Sequence, residues 1–355
     1  MDLQAITTKS IQLLKELIST PSFSKEEDQT AGVITRFLGI HGIEHSRILN
    51  NVFAFNKHFN ASLPTILLNS HHDTVKPNKG YTLDPFIPIE KDGKLYGLGS
   101  NDAGGPLVSL IATFLYFYEK TDLPFNLLLA ATAEEEISGL NGIEMLLPHL
   151  GKIDFGIVGE PTQMQMAVAE RGLLVLDCTA TGVAGHAARN EGENALYKAL
   201  DDIQWIRNYK FDKVSPLLGP VKMTATVIQT ENRAHNVVPP ICQFVVDTRI
   251  NELYTFEEVL DTIQKNIKSN ITPRSTRLRS TSIALEHPLV ISGQKLGRTA
   301  YGSPTTSDKA LMPFPTLKLG PGDSARSHTA DEYIYLHEIT EGIGIYVKLL
   351  EGMKM

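Results

Sequence analysis

The chain has 355 residues, 42% of them apolar and 21% charged, with a formal net charge of −7 and no basic block. That length points to two domains, and the acidic balance argues against nucleic acid or an anionic membrane as partner. The two cysteines, Cys178 and Cys242, lie in apolar, strand-like contexts and read as buried free thiols; no signal-like N-terminus or ~20-residue apolar span is visible, so a cytoplasmic chain is expected.

Residues 7–20 show helical spacing at Ile11, Leu14, Leu17 and Ile18. Ser24-x-x-Glu27 reads as a capping box that opens a second helix through Leu38. Thr65–Asn69 reads as a strand running into Ser70-His71-His72-Asp73, and Pro106–Tyr118 as a buried helix with proline in its first turn. Phe125–Ala131 is a second buried strand, Gly139–Leu150 a helix, and Phe155–Val158 a third strand before Gly159-Glu160-Pro161-Thr162. This alternation predicts an α/β sheet with polar residues at its strand ends. The texture then changes. Met166–Thr179, Val221–Ile228 and Cys242–Ile250 read as strands, with helices over Ala195–Trp205 and Thr255–Ser269. They suggest an inserted α+β domain of about 120 residues, an ordinary domain size. Strand-and-helix texture resumes near Glu286 and ends in a helix over Leu336–Leu350.

Five sites along this path carry candidate chemistry. His71 and Asp73 share one side of an extended chain, so both can touch one centre or one can support the other. His72 points away. The loop Gly97–Gly105 holds Asp102; it lacks the Lys-Ser/Thr of a phosphate loop, and its glycines allow close backbone approach. Glu134-Glu135-Glu136 closes a buried strand, where carboxylates repel one another and resist desolvation. Glu160 ends another strand, and His328 follows a glycine-proline loop. Each motif alone is compatible with a solvated turn. Together, two histidines and several carboxylates at strand ends suit a pair of borderline metal ions, zinc first, with cobalt or manganese as alternatives.

In this order, Ser-His71-x-Asp73, Asp102-x-Gly-Gly, Glu135-Glu136, Gly-Glu160-Pro-Thr and Ser-His328-Thr resemble the M20 metallopeptidase/deacylase family, over essentially the whole chain. The resemblance implies an α/β fold: a split catalytic domain with a mixed sheet flanked by helices, residues 1–167 and 286–355, and an α+β lid or dimerisation domain, residues 168–285. It implies His71, Asp102 and Glu160 as three metal ligands, with Asp102 bridging, and Glu136 and His328 as the other two. Glu135 matches the general base, and Asp73 the carboxylate that orients His71. In the lid, His186 matches an oxyanion donor that reaches a partner subunit's site, and Asn236 and Arg249 match positions that hold the substrate's carboxylate. A structural ion pair with Asp247 is the alternative reading of Arg249. Three positions depart from the common pattern: His72, Asn101-Asp102-Ala103 and Glu134.

The stretch Gly302–Asp308, with its Thr-Ser-Asp, resembles lysine- and ornithine-type members. The expected substrate is N2-acetyl-L-ornithine, cleaved to L-ornithine and acetate in arginine biosynthesis by a homodimer. Succinylornithine, acetylcitrulline, acetyl-lysine or a dipeptide stay open, as does a non-catalytic metal-binding interaction protein.

Overall fold

The apolar run after Pro124 forms the strand Asn126–Thr132, buried along its whole length, and Thr65–His71 is buried likewise. Such near-continuous apolar strands belong to the covered interior of an α/β sheet. In the computed structural model, which describes residues 2–189 and 191–353, Thr65–His71 lies between Asn126–Thr132 and Phe155–Val158, parallel to both. Thr316–Lys318 extends the parallel set beside Phe155–Val158. Asn51–Phe55 and Ser46–Ile48 add antiparallel strands on one side and Met166–Glu170 on the other, making the sheet mixed.

Helix Gly105–Phe117, apolar nearly all round, packs on Thr65–His71 and Asn126–Thr132 and is covered in turn by Leu3–Ile18 and Leu336–Glu351. Leu67, Leu128 and Ala130 join Ile143, Leu146 and Leu150 in a separate apolar cluster. A small antiparallel sheet of Ile89–Lys91, Lys94–Tyr96 and Tyr333–Tyr335 was not apparent from periodicity.

Three expected elements take a different form. The Ser24–Glu27 capping box is absent: helix Asp28–Ile40 starts later, the Ser24 hydroxyl donates to Asp73, and Glu27 accepts the Lys25 N–H. The helix expected over 139–150 shrinks to Ile143–Leu146 and a 3₁₀ turn at Leu147–His149 that contains Pro148. Its start is lost because Gly139 and Gly142 pack against Glu134 and the Ala133 carbonyl, closer than a Cβ would allow. The long strand from Met166 breaks into Met166–Glu170 and Gly172–Thr181.

Contacts divide the chain into two units. The first runs to Val168 and resumes over Ser282–Tyr301 and from Ser307; the second comprises Ala169–Thr281 and Gly302–Thr306. The second unit is an antiparallel sheet ordered Lys222–Gln229, Ile241–Ile250, Gly172–Thr181, Asn270–Pro273. Gly172–Thr181 alternates buried and half-buried residues, and its inward side supplies Leu174, Leu176 and Cys178 to a core with helices Ala195–Asn208 and Phe256–Asn266. Both cysteines are free and buried there.

Candidate metal centre

In the first unit, His71 closes its strand in register with Thr132, and Val158 stands opposite Asn69. The carboxyl ends of the parallel strands therefore lie side by side, where open α/β sheets place ligands. Glu135, Glu136 and Glu160 follow within a few residues of those ends.

The His71 ring is 1% exposed. Its Nδ1 sits 3.0 Å from the Asp73 carbonyl oxygen and 3.4 Å from Asp73 Oδ1. An Nδ1–H donated to that carbonyl fixes the tautomer and leaves Nε2 as the donor atom for a metal. Nε2 faces Asp102 Oδ1 at 3.4 Å, Glu160 Oε1 at 3.7 Å and Glu135 Oε2 at 3.9 Å. The other Asp102 oxygen, Oδ2, lies 3.7 Å from His328 Nε2, which is 3.0 Å from Glu136 Oε2. Asp102 thus stands between two sets, one with His71 and Glu160 and the other with His328 and Glu136. The cluster is tight. Donor atoms of His71, Asp102 and Glu136 lie within 4.8 Å of one another, as do those of His71, Glu135 and Glu160.

The Asp73 carboxylate is fully buried and does more than face His71. Its two oxygens accept the backbone N–H groups of Glu135 (3.1 Å) and Glu136 (3.2 Å), and Oδ2 also accepts the Ser24 hydroxyl at 2.7 Å. This carboxylate therefore anchors the turn that carries both glutamates to the strand that carries His71. Glu134 is buried in a left-handed conformation, and its carboxylate accepts the Asn141 side-chain amide at 2.9 Å. It supports the turn and is not solvated. His72 stays outside the cluster: its Nδ1 and Nε2 pair with the Thr30 hydroxyl and the Asn50 carbonyl, each at 2.9 Å. Burial lowers its pKa to about 4.

The electrostatics of the cluster fit a cation. Burial pushes the Glu135 carboxyl well above its usual range, and the charges of Glu160, Asp308 and Glu136 act in the same direction. Burial works against protonation of His71, yet Glu135, Asp102, Asp73 and Glu160 raise its pKa well above the ordinary value. The bond to Glu136 raises His328 to about 9. Two imidazoles and three carboxylates, with one carboxylate facing both sets, are a donor set suited to two divalent ions.

Two buried groups escaped the motif reading. Asp308 accepts the Thr132 hydroxyl at 2.9 Å, and burial raises its pKa to about 7. Thr132 in turn accepts the Asn69 amide at 2.9 Å. The available signal is the Thr-Ser-Asp stretch, which resembles a substrate marker and carries an aspartate whose charge acts on Glu135. The second group is Glu332, whose carboxylate accepts backbone N–H groups from the Asp102 loop. Its signal was only a place four residues after His328.

The lid candidates all lie in the second unit. Gly185–His186 pairs with Val237–Val238, and the Ala187 N–H donates to the Asn236 carbonyl at 2.9 Å, so His186 and Asn236 are neighbours. Both are exposed. Arg249 lies eight residues beyond Ile241 on one strand, which is roughly 27 Å of extended chain. Its guanidinium grips Asp247 through Nε and Nη2 at 2.8 and 3.0 Å. The structure therefore joins His186 to Asn236, places Arg249 toward the other end of the sheet, and forms the ion pair that was its alternative reading.

The chain is 25% identical to succinyl-diaminopimelate desuccinylase 2 of Ruegeria sp. (strain TM1040) over 96% of its own length and 94% of the relative's. Its fold matches the crystal structure of aminopeptidase PepT from Bacillus cereus with a TM-score of 0.78, at 18% identity and 98% coverage of each chain. It also matches the Bacillus subtilis YXEP protein, described as a dinuclear metal binding peptidase from the M20 family, with a TM-score of 0.74, at 15% identity and 98% coverage of each. The description Peptidase family M20/M25/M40 matches residues 67–352. With four-fifths of its length under that match and its strand-end histidines and carboxylates gathered in one cluster, the chain belongs to the M20/M25/M40 peptidase family and is a metallo-hydrolase.

Proposed function

We propose that the chain hydrolyses the amide bond of an N-acyl amino acid, using two divalent ions, zinc first, held by His71, Asp102, Glu160, Glu136 and His328. The observation that carries this reading is the placement of Asp102, with one oxygen 3.4 Å from His71 and the other 3.7 Å from His328. A single carboxylate facing two imidazoles is what a shared ligand requires. When bound, the ions would supply an acidified water and polarisation of the amide carbonyl.

Glu135 is the base that takes the water's proton and returns it to the leaving amine. Its buried, carboxylate-crowded setting raises its pKa, and the positive charge of two bound dications would act in the opposite direction. Asp73 orients His71 and holds the Glu135 N–H. His186 donates to the oxyanion. Asn236 and Arg249 hold the carboxylate end, Arg249 by giving up its fork on Asp247. The separation of Arg249 from His186 and Asn236 within one unit favours their serving two different sites in a homodimer built through the second unit.

The substrate proposed from the residue pattern is N2-acetyl-L-ornithine. The desuccinylase name of the Ruegeria relative favours a second reading, removal of a succinyl group, whose extra carboxylate needs an extra cation. One assay separates them. The purified chain, loaded with zinc or cobalt, is offered acetylornithine, succinylornithine, acetylcitrulline, succinyl-diaminopimelate and dipeptides. Turnover of an acyl amino acid is expected; silence on all of them, with ions bound, overturns the deacylase reading.

A further inference from the structure

Of the two ion positions, one rests mostly on the sheet and the other mostly on loops. His71 closes a central strand and Glu160 follows another. Asp102 sits in an irregular segment, Ser100–Gly104, with non-helical backbone at Asp102 and Ala103. His328 has a left-handed backbone, a strained state for a non-glycine residue, and its side chain is 54% exposed. Backbone of that kind persists only where its surroundings hold it.

Glu332 supplies that hold for the Asp102 loop. Its carboxylate is buried at 2% exposure. Oε1 accepts the N–H groups of Asn101 and Asp102, each at 2.8 Å, and Oε2 accepts that of Gly99 at 2.9 Å. Its own carbonyl accepts the Gly97 N–H at 3.0 Å. One residue therefore binds four N–H groups of the Asp102 loop. The Asn101 side chain makes a second tie, accepting the Asp323 N–H and donating to the Asp323 carbonyl, both at 3.0 Å. The stretch from Asp323 to Glu332 contains His328, so the two loops are fastened on both sides of that histidine.

We propose that Glu332 is a positioning residue: its carboxylate clasps the Asp102 loop to the His328 segment and so sets the ion position formed by His328, Glu136 and Asp102. This rests on the two-ion reading above. The other position draws one ligand from the clasp and two from strand ends, and it depends less on Glu332. A carboxylate is required, because all three side-chain contacts are with donors. Glutamine in either orientation turns an NH2 toward at least one N–H, leaving a buried donor without an acceptor.

The test is metal titration of the full chain, demetallated and then titrated with Co²⁺ or Zn²⁺ by calorimetry, with bound metal counted by elemental analysis. Wild type, Glu332→Gln and Asn101→Ala are compared, and circular dichroism monitors the fold. Wild type is expected to bind two ions. Glu332→Gln should keep its first ion within about threefold of wild-type affinity and bind the second ~10–100-fold more weakly, the usual effect of removing an outer partner of a ligand. Asn101→Ala should shift the second ion in the same direction, and it carries the test if Glu332→Gln fails to fold. Two ions bound with wild-type affinities in the variants overturn the clasp alone, as does parallel weakening of both ions in a folded variant. A wild-type chain that binds no divalent ion overturns the two-ion reading and the clasp with it.

Discussion

In the first unit, His71 and Asp73 are 1% and 0% exposed, and each contacts backbone that is itself held at a strand end. In the second unit, His186 and Asn236 stand exposed beside a two-residue strand pairing, and Arg249 is half-buried against Asp247. On the proposed roles, the difference separates two tasks. Ligands for an ion must be held close to a fixed geometry, so buried strands and buried hydrogen bonds carry them. Groups that meet a substrate can sit on exposed, short segments, where loops ordinarily carry recognition.

Substitutions in the two units are expected to separate metal content from turnover. Glu135→Ala should lower kcat by ~10²–10⁴, the range for a general base, with both ions retained; loss of both ions would undo the division of roles between Glu135 and Glu136. His186→Ala should cost ~10²–10³ in kcat, as for an oxyanion donor, with KM and metal content little changed. A change confined to KM argues against that role, and a change in metal content would break the comparison between the units. Asp73→Asn places an amide donor toward a backbone N–H, and ion affinity measured by titration should fall ~10–100-fold.

Proton linkage sharpens the first side of the comparison. His328 is raised to about 9 by its bond to Glu136, so at pH 7.5 it carries a proton that an ion must displace. Ion uptake should release that proton, and affinity at this position should weaken about tenfold for each pH unit below about 9. Calorimetry in two buffers of different ionisation enthalpy counts the proton; no release would mean that His328 is not a ligand. The smallest effect is expected at Arg249. Arg249→Ala should raise KM about tenfold or less, the lower end for a charge-assisted hydrogen bond, because Asp247 competes for the same fork. Steady-state kinetics read this, and metal content should not move.

Local sequence carried the sheet well, because buried strands leave a plain signal: Asn126–Thr132 and Thr65–His71 are apolar runs with polar residues just beyond. It failed where one residue had two uses. Ser24 and Glu27 have the spacing of a capping box, but the Asp73 carboxylate takes the serine hydroxyl and Glu27 reaches Lys25, Asn50 and Glu134. The helix expected from Gly139 was shortened by glycines that pack against Glu134 and Ala133. Asp308 stands in a legible Thr-Ser-Asp stretch, yet its burial against Thr132 depends on a strand 176 residues away.

By itself the sequence determined which residue types stand at the strand ends, and in what order: His71, Asp102, Glu135-Glu136, Glu160 and His328 are legible as a family pattern. Only the tertiary structure decided how they divide. Asp102 faces both histidines because the sheet, the loop at Ser100–Gly104 and the segment before Glu332 meet at one place. Asp73 became an anchor for two glutamate N–H groups, and Glu332 a clasp between loops 230 residues apart. The physical reason is that periodicity and propensity report contacts within a few residues along the chain. A hydrogen bond between distant segments leaves no local trace, and the roles of this centre are set by such bonds.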